Sequence, residues 1–527
     1  MVANEQSSLS LFIFFLCSSP NELFSTEEHP LIRNVRKIRV KIFILDMNKI
    51  LTIDQGTTSS RAIVFDTNAE IIQSSQKEYP LIYPASGWVE IDPEVLIKSV
   101  TDSLGEVDLD AISSCAITNQ RETTIVWERD SGKPIYNAIV WQDRRTKDFC
   151  SSIEDEEILK EISSRSGLIL DPYFSATKIK WILENVDGAS KKAKDGKLCF
   201  GTVDTYLMYV LSKGKIYKTD ITNASRTMLF NINTLCWDKY LLDLFDIPES
   251  ILPEVSNSDE LFGSLSECKN INVNAVLGDQ QAALFGQGCL NSGDLKSTYG
   301  TGCFLMSNIG LEPIAAKEGL LTTIGFSFNK EIHYAIEGSI YSAGTVVQWL
   351  RDNLEFFDES SDSEKFLNLD ANANGVLFIP AFTGLGAPYW DSDIRASFHG
   401  ITRDTTKKDF ITAAFNSICY QTKDIVDCME QANIKVKSLN VDGGMAANQT
   451  FLGHIASILN IPIYTPKNKE STAKGVACLA GITTGLMNVD VINKQEKTIY
   501  NPEYALNMIM KSDYQLWKNL IKKNVLP

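Results

Sequence analysis

Short apolar runs separated by polar turns begin near residue 50 and set the pattern for most of the chain. Residues 51–54 and 61–65 are apolar runs, and one glycine with four consecutive hydroxyl residues lies between them. Apolar runs of this length bounded by turn residues are typical of β-strands, so the pattern predicts a β-hairpin over residues 50–66. Its tip, Thr57-Thr58-Ser59-Ser60, lacks the Asn-Gly or Asp-Gly pair that a tight hairpin prefers.

The hydroxyl-rich tip of this hairpin admits two interpretations. Hydroxyls and free backbone N–H groups beside Gly56 suit the oxygens of a phosphate group, and the adjacent Asp54 suits a hydrated Mg²⁺. The same residues equally suit a surface hairpin with a polar tip. A short motif is only a hypothesis, so these residues alone leave both interpretations open.

Two later strands are also predicted to end in polar side chains. Residues 111–118 lead into Asn119-Gln120-Arg121-Glu122, and residues 275–278 lead into Asp279-Gln280 and a helix. The carboxyl end of a strand is a common place for a site in an α/β sheet. Arg121 and Glu122 also suit a local ion pair, which contributes little to stability. An Asp at a strand end suits a general base and a helix N-cap, and the two roles are compatible.

A second pattern of strand, Gly/Thr turn and strand, similar to that at 50–66, is predicted over residues 297–306. Two similar loops in two halves of the chain predict a duplicated architecture. Further on, Gly443-Gly444 is predicted to open a helix at 445–459, which suits either a nucleotide phosphate or a tight strand–helix connection. The remaining pattern predicts strands at 123–127, 138–141, 331–338, 375–380 and 439–442, helices at 155–164, 177–185, 341–354, 409–429 and 473–481, a strand or helix at 200–211, and a small helical layer at 229–245.

Length, composition and charge narrow the class of protein. The 527 residues are too many for one core and indicate two or more domains. A net charge of −16 without a Lys/Arg-rich patch argues against nucleic-acid binding. The 11 cysteines form no C-x-x-C pair and the four histidines show no ligand spacing. Structural zinc and a disulfide framework are therefore disfavoured, and a reducing compartment is expected.

The first 46 residues differ from the rest of the chain. The apolar run at 9–17 is about half the length of a membrane span, and no Lys or Arg precedes it as in a signal peptide. We expect the functional protein to start at or near Met47, just before the first strand. No other segment is apolar enough to cross a membrane.

Five motifs, taken together and in this order, resemble the FGGY family of carbohydrate kinases. They are Asp-Gln-Gly-Thr-Thr-Ser-Ser-Arg (54–61), Asn-Gln-Arg-Glu-Thr-Thr (119–124), Gly-Asp-Gln-Gln-Ala-Ala (278–283), Thr-Tyr-Gly-Thr-Gly-Cys-Phe (298–304) and Val-Asp-Gly-Gly (441–444). The resemblance runs from Met47 to about Gly485. It implies an α/β fold of two ribonuclease H-like (actin/hexokinase-type) domains, each with a five-stranded mixed sheet, flanking a cleft.

The resemblance also implies the roles of single residues. On the nucleotide side, Thr57, Thr58 and Ser59 are expected to contact phosphates near Arg61, Asp54 to lie near Mg²⁺, and Thr301, Gly344, Gln348, Gly444 and Asn448 to line the ATP site. On the acceptor side, Arg121, Glu122, Tyr173, Asp279 and Gln280 are expected to hold the hydroxyls of glycerol, with Trp141 and Phe304 against its carbon chain. Asp279 is the expected base.

The implied activity is ATP-dependent phosphorylation of glycerol to sn-glycerol 3-phosphate, the first step of glycerol catabolism. Two alternatives stay open: a kinase for another polyol or ketose, and a catalytically silent member of the superfamily. The expected domains are an extension at 1–46, an N-terminal kinase domain at 47–295, a C-terminal domain at 296–490, and a peripheral helix and tail at 491–527. A cytoplasmic homo-oligomer, dimer or tetramer, is expected, and so is the absence of the loop through which relatives bind fructose 1,6-bisphosphate.

Overall fold

Two mixed β-sheets, one in each half of the chain, form the framework of the protein in a computed structural model. The structure describes residues 48–315, 319–391, 393–467, 470–493 and 496–525. The expectation for residues 1–46 lies outside these ranges. No helix within them is both long and apolar enough to span a bilayer.

The first sheet contains six strands and begins with the predicted hairpin. Its strands are β1 (Lys49–Gln55), β2 (Ser59–Phe65), β3 (Ile71–Glu78), β4 (Ile112–Asn119), β5 (Gly263–Leu265) and β6 (Ile271–Gly278). The spatial order is β5-β6-β4-β1-β2-β3. Strands β1, β4 and β6 run parallel, while β2, β3 and β5 are antiparallel to their neighbours.

The second sheet contains seven strands and repeats the order of the first. Its strands are β7 (Leu295–Tyr299), β8 (Cys303–Gly310), β9 (Leu321–Phe328), β10 (Glu331–Ile340), β11 (Leu439–Asp442), β12 (Ile463–Pro466) and β13 (Lys497–Tyr500). The spatial order is β9-β10-β8-β7-β11-β12-β13. Its central five strands follow the same order as β3-β2-β1-β4-β6. The expectation of five strands per sheet is therefore corrected to six and seven, because β5 adds to one edge of the first sheet and β9 and β13 add to the two edges of the second.

The described residues contain fifteen α-helices, of which some pack on these sheets and others on short strand pairs or on one another. They are α1 (Pro93–Leu104), α2 (Lys147–Ser151), α3 (Glu156–Ser166), α4 (Ser175–Asn185), α5 (Ala189–Lys194), α6 (Val203–Leu211), α7 (Ile221–Ala224), α8 (Lys239–Phe245), α9 (Asp279–Gly286), α10 (Gly344–Asp352), α11 (Lys407–Gln431), α12 (Gln449–Leu459), α13 (Ser471–Thr483), α14 (Asp490–Asn493) and α15 (Tyr504–Val525). Paired strands outside the two sheets are Glu90–Ile91 with Ala138–Ile139, Ile125–Glu128 with Leu198–Gly201, Lys218–Asp220 with Glu254–Ser256, Phe230–Asn231 with Cys236–Trp237, and Leu377–Ile379 with Ser397–His399.

Two predicted elements differ from the structure. The helical layer expected at 229–245 is a short hairpin followed by α8, because Asp238 accepts the Leu241 N–H and starts the helix late. The helix expected at 445–459 begins at Gln449, after a 3₁₀ turn at Gly444–Ala447. In that second case Asn448 is the N-cap, and its side chain accepts the Phe451 N–H at 2.9 Å.

Helix α13 lies between β12 and β13 of the second sheet in sequence but packs on the first sheet. Its buried residues join a core that contains Ile50, Ala116 and Leu277 of the first sheet. It crosses α9 closely, since a Cβ on Gly475 would lie 1.9 Å from the Ala282 carbonyl oxygen. The two halves are therefore joined by packed helices as well as by the chain.

Candidate active site

The parallel strands of the first sheet bring three predicted segments to one edge. Gln55 of β1 pairs with Asn119 of β4, and Asn119 pairs with Gly278 of β6. All three strands end at this row, so the hydroxyl loop, the Arg121 segment and Asp279 emerge side by side. In the second sheet, Thr298 of β7 pairs with Asp442 of β11, next to the second predicted loop.

Arg121 is the centre of a buried polar cluster. Its side chain is 1% exposed, and its Nη1 donates to Glu337 Oε2 at 2.6 Å. Its Nε lies 3.5 Å from Asp279 Oδ1, and its Nη2 is 3.4 Å from the Tyr173 hydroxyl. A Cβ on Gly278 would lie 2.8 Å from Arg121 Cγ, so glycine is required for this approach. Arg121 is thus an ion-pair centre and not a surface loop residue.

Glu122 is held in an unusual backbone conformation. Its φ of 59° lies in the left-handed region, which bulky residues rarely adopt. Arg226 Nε donates to its Oε1 at 2.6 Å, and the Ser175 hydroxyl donates to its carbonyl at 3.0 Å. Strain of this kind persists where the surroundings over-determine a residue, often at functional sites.

Glu337, on β10 of the second sheet, accepts from both arginines. Its exposure is 0%, and Arg226 Nη2 lies 3.0 Å from its Oε1. Burial by itself would raise the pKa of Glu337, but Arg121 and Arg226 lower it to about 2. Because both arginines belong to the N-terminal half, this ion pair crosses between the two halves.

Three aromatic rings stand next to this cluster. Trp141 meets Tyr173 edge-on at 5.8 Å and Phe304 at 6.0 Å between ring centroids. All three rings line a cavity of about 860 Å³ between the two halves. The Trp141 indole N–H donates to the Thr57 hydroxyl at 3.0 Å, which connects this aromatic wall to the hydroxyl loop.

Asp279 is the first residue of α9 and is not its N-cap. Gly278 holds the cap position without a side-chain bond, and Asp279 Oδ1 accepts the Gln280 N–H at 2.7 Å. Its side chain is 32% exposed. Burial and the charge of Glu122 raise the pKa of Asp279 to about 6, although the charges of Arg121 and Lys296 act to lower it. The carboxylate is therefore accessible, basic and still ionised at neutral pH.

The hydroxyl loop after β1 is held in place by hydrogen bonds from Tyr79. The Tyr79 hydroxyl contacts the Gly56 carbonyl, and the Tyr79 N–H donates to the Thr58 carbonyl at 3.0 Å. Thr58 is exposed at the tip and Ser59 is half-buried. Two carbonyls are thus fixed in place, and Thr58 presents the exposed hydroxyl of the tip, whereas the Ser60 hydroxyl is buried against Ser99.

Arg61 is engaged by two acids. It pairs with Asp54 Oδ2, its partner across the hairpin, and its Nη1 lies 2.6 Å from Glu470 Oε2. Arg61 was expected near the phosphates, and the structure places its guanidinium beside the carboxylate expected to lie near Mg²⁺.

The five residues expected on the ATP side converge on one cavity of about 390 Å³. Thr301, Gly344, Gln348, Gly444 and Asn448 all line it. Thr301 also lines the larger cavity, so the Gly300–Gly302 loop stands between the two. The cap bond of Asn448 uses its oxygen, and its Nδ2 is buried without a hydrogen-bond partner among the described residues. An unpaired buried donor is costly unless a ligand accepts from it.

The two glycines after β11 are needed for different structural reasons. Gly443 has a φ of 90°, and a Cβ there would lie 2.4 Å from the Tyr299 carbonyl oxygen. At Gly444 a Cβ would meet nothing within 4 Å. Packing therefore explains Gly443, whereas Gly444 keeps the backbone open towards the cavity.

The motifs missed several residues that complete the site. Three buried charges lie beside the predicted acceptor residues: Arg226, Glu337 and Lys296. The nucleotide cavity is also lined by Ser360, Ser361, Ser363 and Glu364. A signal existed for Glu337, since it is a charge among apolar residues near the end of the predicted strand 331–338, and buried charges need partners, whereas Lys296 precedes the predicted strand at 297–306. Arg226 lay in a polar loop and gave no such signal.

The models of one family cover both halves. The N-terminal domain of the FGGY family of carbohydrate kinases matches residues 49–286, and the C-terminal domain matches residues 295–484. The chain belongs to the FGGY family. This membership confirms the α/β fold with two sheet domains that the five motifs imply.

Relatives within the FGGY family agree over most of the chain. The glycerol kinase of Marinomonas sp. (strain MWYL1) is 48% identical, with 85% of this chain and 93% of the relative covered. That of Alteromonas mediterranea is 50% identical, with 83% and 91% covered. The crystal structure of Plasmodium falciparum glycerol kinase with ADP is 34% identical with a TM-score of 0.84, covering 91% of this chain and 98% of that one.

Proposed function

We propose that this FGGY kinase transfers the γ-phosphoryl group of ATP to a terminal hydroxyl of glycerol, giving sn-glycerol 3-phosphate and ADP. The observation that carries the proposal is the convergence of an ionised, accessible Asp279 with Arg121 and three aromatic rings beside a nucleotide cavity. The relatives named glycerol kinase, at 44–50% identity, support the choice of acceptor.

The acceptor site matches the chemistry of glycerol. Its hydroxyls need acceptors and donors, which Glu122, Asp279, Arg121 and Gln280 provide, and its C–H face suits Trp141 and Phe304. Arg121 and Glu122 are each only 1% exposed, so their polar groups are already fixed in position by their neighbours. A site built from such polar groups rejects analogues that lack a hydroxyl, because its own groups would be left unpaired.

Transfer requires a base and a fixed line of approach. The Asp279 carboxylate accepts the proton of the attacking hydroxyl, whose oxygen bonds to the γ-phosphorus as the bond to the bridging oxygen breaks and ADP leaves. Thr57, Thr58, Ser59 and the Gly300–Gly302 loop lie on the phosphate side of the site. Exclusion of water by closure of the two halves would prevent hydrolysis of ATP.

Magnesium would be bound mainly by the nucleotide. Mg²⁺ is commonly held by one or two carboxylates, phosphates and waters, and a single buried carboxylate, Asp54, beside the hydroxyl loop fits that role. Arg61 takes one of its oxygens, Oδ2. Within the described ranges no group of three or more His, Cys, Asp or Glu forms a cage. When bound, the ion would neutralise phosphate charge.

A larger polyol or ketose is a second candidate acceptor. The cavity of about 860 Å³ also has Cys150, Thr383 and Arg395 in its lining, and its volume exceeds that of a three-carbon polyol. Gluconate and xylulose kinases share this fold at 21–22% identity, which shows the fold alone.

One assay decides between these acceptors and a silent protein. ATP turnover is measured with glycerol, dihydroxyacetone, erythritol, xylulose and gluconate, and the product is identified by ³¹P NMR. We expect the highest kcat/KM with glycerol. Preference for a pentose would replace glycerol as the substrate, and no turnover with any acceptor would favour a silent protein. The Asp279→Asn variant, purified in the same way, controls for a contaminating kinase.

The proposal also includes the cellular location, the subunit number and the domain boundaries of the enzyme. We retain a cytoplasmic homo-oligomer, dimer or tetramer, and the domain boundaries 47–295 and 296–490, as part of this proposal. Light scattering on the purified protein measures its mass in solution and thus its subunit number.

A further inference from the structure

Lys296 is a buried lysine between the two halves that the five motifs do not include. It is the second residue of β7 and has 0% exposure. Side chains alternate along a strand, so Lys296 shares a face with Thr298, while Leu295 and Tyr299 lie in the C-terminal core. Thr298 pairs with Phe304 across β8, which places the lysine on the face that carries the aromatic wall.

The ammonium group of Lys296 reaches across to the N-terminal half. Its Nζ donates to Gln280 Oε1 at 2.5 Å and to Thr298 Oγ1 at 3.2 Å. An ammonium group can only donate, so the Gln280 amide must present its oxygen to Lys296. The amide nitrogen is then turned away and remains a donor for an acceptor hydroxyl.

Charges from four elements surround this lysine. They are Asp442 at the end of β11, Arg121 after β4, Glu337 on β10 and Asp279 at the start of α9. Burial lowers the pKa of Lys296, and the three carboxylates oppose that shift. Asp442 Oδ1 is itself buried without a hydrogen-bond partner among the described residues, which makes a nearby cation necessary.

Lys296 also acts on the proposed base. Burial and Glu122 raise the pKa of Asp279, and Arg121 and Lys296 lower it. Arg121 is shared with Glu337, whereas Lys296 contacts the residue adjacent to the base. Removal of this charge should therefore leave Asp279 protonated at higher pH.

We propose that Lys296 is a positioning residue for phosphoryl transfer, which fixes the Gln280 amide towards the acceptor and supplies a positive charge beside Asp279. The proposal rests on the proposed function for the identity of the acceptor. A purely structural role, neutralising Asp442, would affect folding without a selective effect on acceptor binding or on the base.

The test compares Lys296→Met and Lys296→Arg with the exposed control Lys437→Met. For Lys296→Met we expect the acceptor KM, and the acceptor Kd by calorimetry, to rise about tenfold through loss of a charge-assisted contact. The acidic limb of the pH profile, which is the fall of kcat/KM at low pH, should shift to a pH about one unit higher. The KM for ATP should change less than about twofold, and Lys296→Arg should keep the acidic limb while the acceptor Kd rises.

Either of two results would overturn the proposal. The first is a folded Lys296→Met variant with wild-type acceptor Kd and acidic limb, and the second is a loss confined to the KM for ATP. If Lys296→Met does not fold, the Lys296→Arg variant decides, and a wild-type acceptor Kd there would overturn the proposal. Calorimetry needs no turnover, so a wild-type protein that binds glycerol without phosphorylating it refutes the proposed function and leaves this comparison intact.

Discussion

Asp279 combines a raised pKa with a partly exposed position at the start of α9. The carboxylate must be ionised to accept a proton, and its pKa is about 6 through burial and the charge of Glu122. A neighbouring acid, Glu337, has a pKa of about 2, because two arginines outweigh its burial. Acids of the same cluster are thus separated in basicity by their partners, and the more basic one is the accessible one.

The first prediction concerns the pH dependence of this base. Below its pKa, Asp279 is protonated and cannot accept a proton, so kcat/KM should fall about tenfold per pH unit below about pH 6 and be level above it. Asp279→Asn should lower kcat by at least ~10²-fold with a smaller effect on the KM for ATP. Steady-state kinetics between pH 5 and 8 measure both.

The exposed, remote Asp130→Asn variant is the matched control and should retain the wild-type profile. A flat profile between pH 5 and 7, or an unchanged kcat in Asp279→Asn, would remove Asp279 from the role of base.

Motif residues and buried charges differed in how well the sequence predicted them. The five expected nucleotide-site residues converge on one cavity, and Trp141, Tyr173 and Phe304 form one aromatic wall. Their roles towards a ligand stay predictions. Arg226 was not predicted, because its partners Glu122 and Glu337 are 104 and 111 residues away in sequence and no local pattern connects them.

At the scale of elements, the last helix is more deeply integrated than its position in the sequence suggested. The expectation was a peripheral helix and tail. Strand β13 instead extends the second sheet, and Met510, Tyr514 and Trp517 of α15 are buried in the C-terminal core. The buried face follows the helical period, which the sequence displays, but what that face packs against required the structure.

The second prediction tests this helix. Trp517 is fully buried, stacks near Tyr420 and Tyr514, and donates to the Phe378 carbonyl at 2.8 Å. Trp517→Ala should lower the free energy of unfolding by about 3–5 kcal/mol, because it leaves a cavity and an unpaired carbonyl. Urea denaturation followed by circular dichroism measures the loss.

The adjacent Leu516→Ala is the control, since Leu516 is 55% exposed. It should change stability by less than about 0.5 kcal/mol. Equal stability of the two variants would show that α15 does not hold the C-terminal core.

At the scale of the whole molecule, ion pairs and helices connect the halves. Glu337 of the second sheet contacts Arg121 and Arg226 of the N-terminal half, and α13 packs against the first sheet. The acceptor site therefore depends on both halves, although most of its predicted residues precede residue 295.

The third prediction concerns this crossing pair. Glu337→Gln should cost about 3–5 kcal/mol of stability, because it removes the carboxylate that two buried arginines share and leaves Glu122 and Asp279 as their remaining acidic partners. The pKa of Glu337 is lowered from 4.5 to about 2, so its contribution is complete above about pH 4.5 and is lost as the pH falls towards 2. Thermal unfolding at pH 7 and pH 3 measures both effects, and the difference between wild type and variant should shrink at pH 3.

Glu331→Gln, an exposed change on the same strand, is the control. A Glu337→Gln variant as stable as this control, or a difference independent of pH, would contradict the assigned pairing.

The ligand contacts of the site residues remain predictions. The sequence alone was enough to predict the class of fold and the two hairpin loops. These features depend on local pattern: alternation, turn residues and motifs within about ten neighbours. The tertiary structure alone decided which charges are paired, which face of α15 is buried and that α13 packs on the first sheet. Those outcomes depend on contacts between residues far apart in sequence: the cost of burying an unpaired charge selects among ion pairs, and burial of apolar surface selects among helix packings.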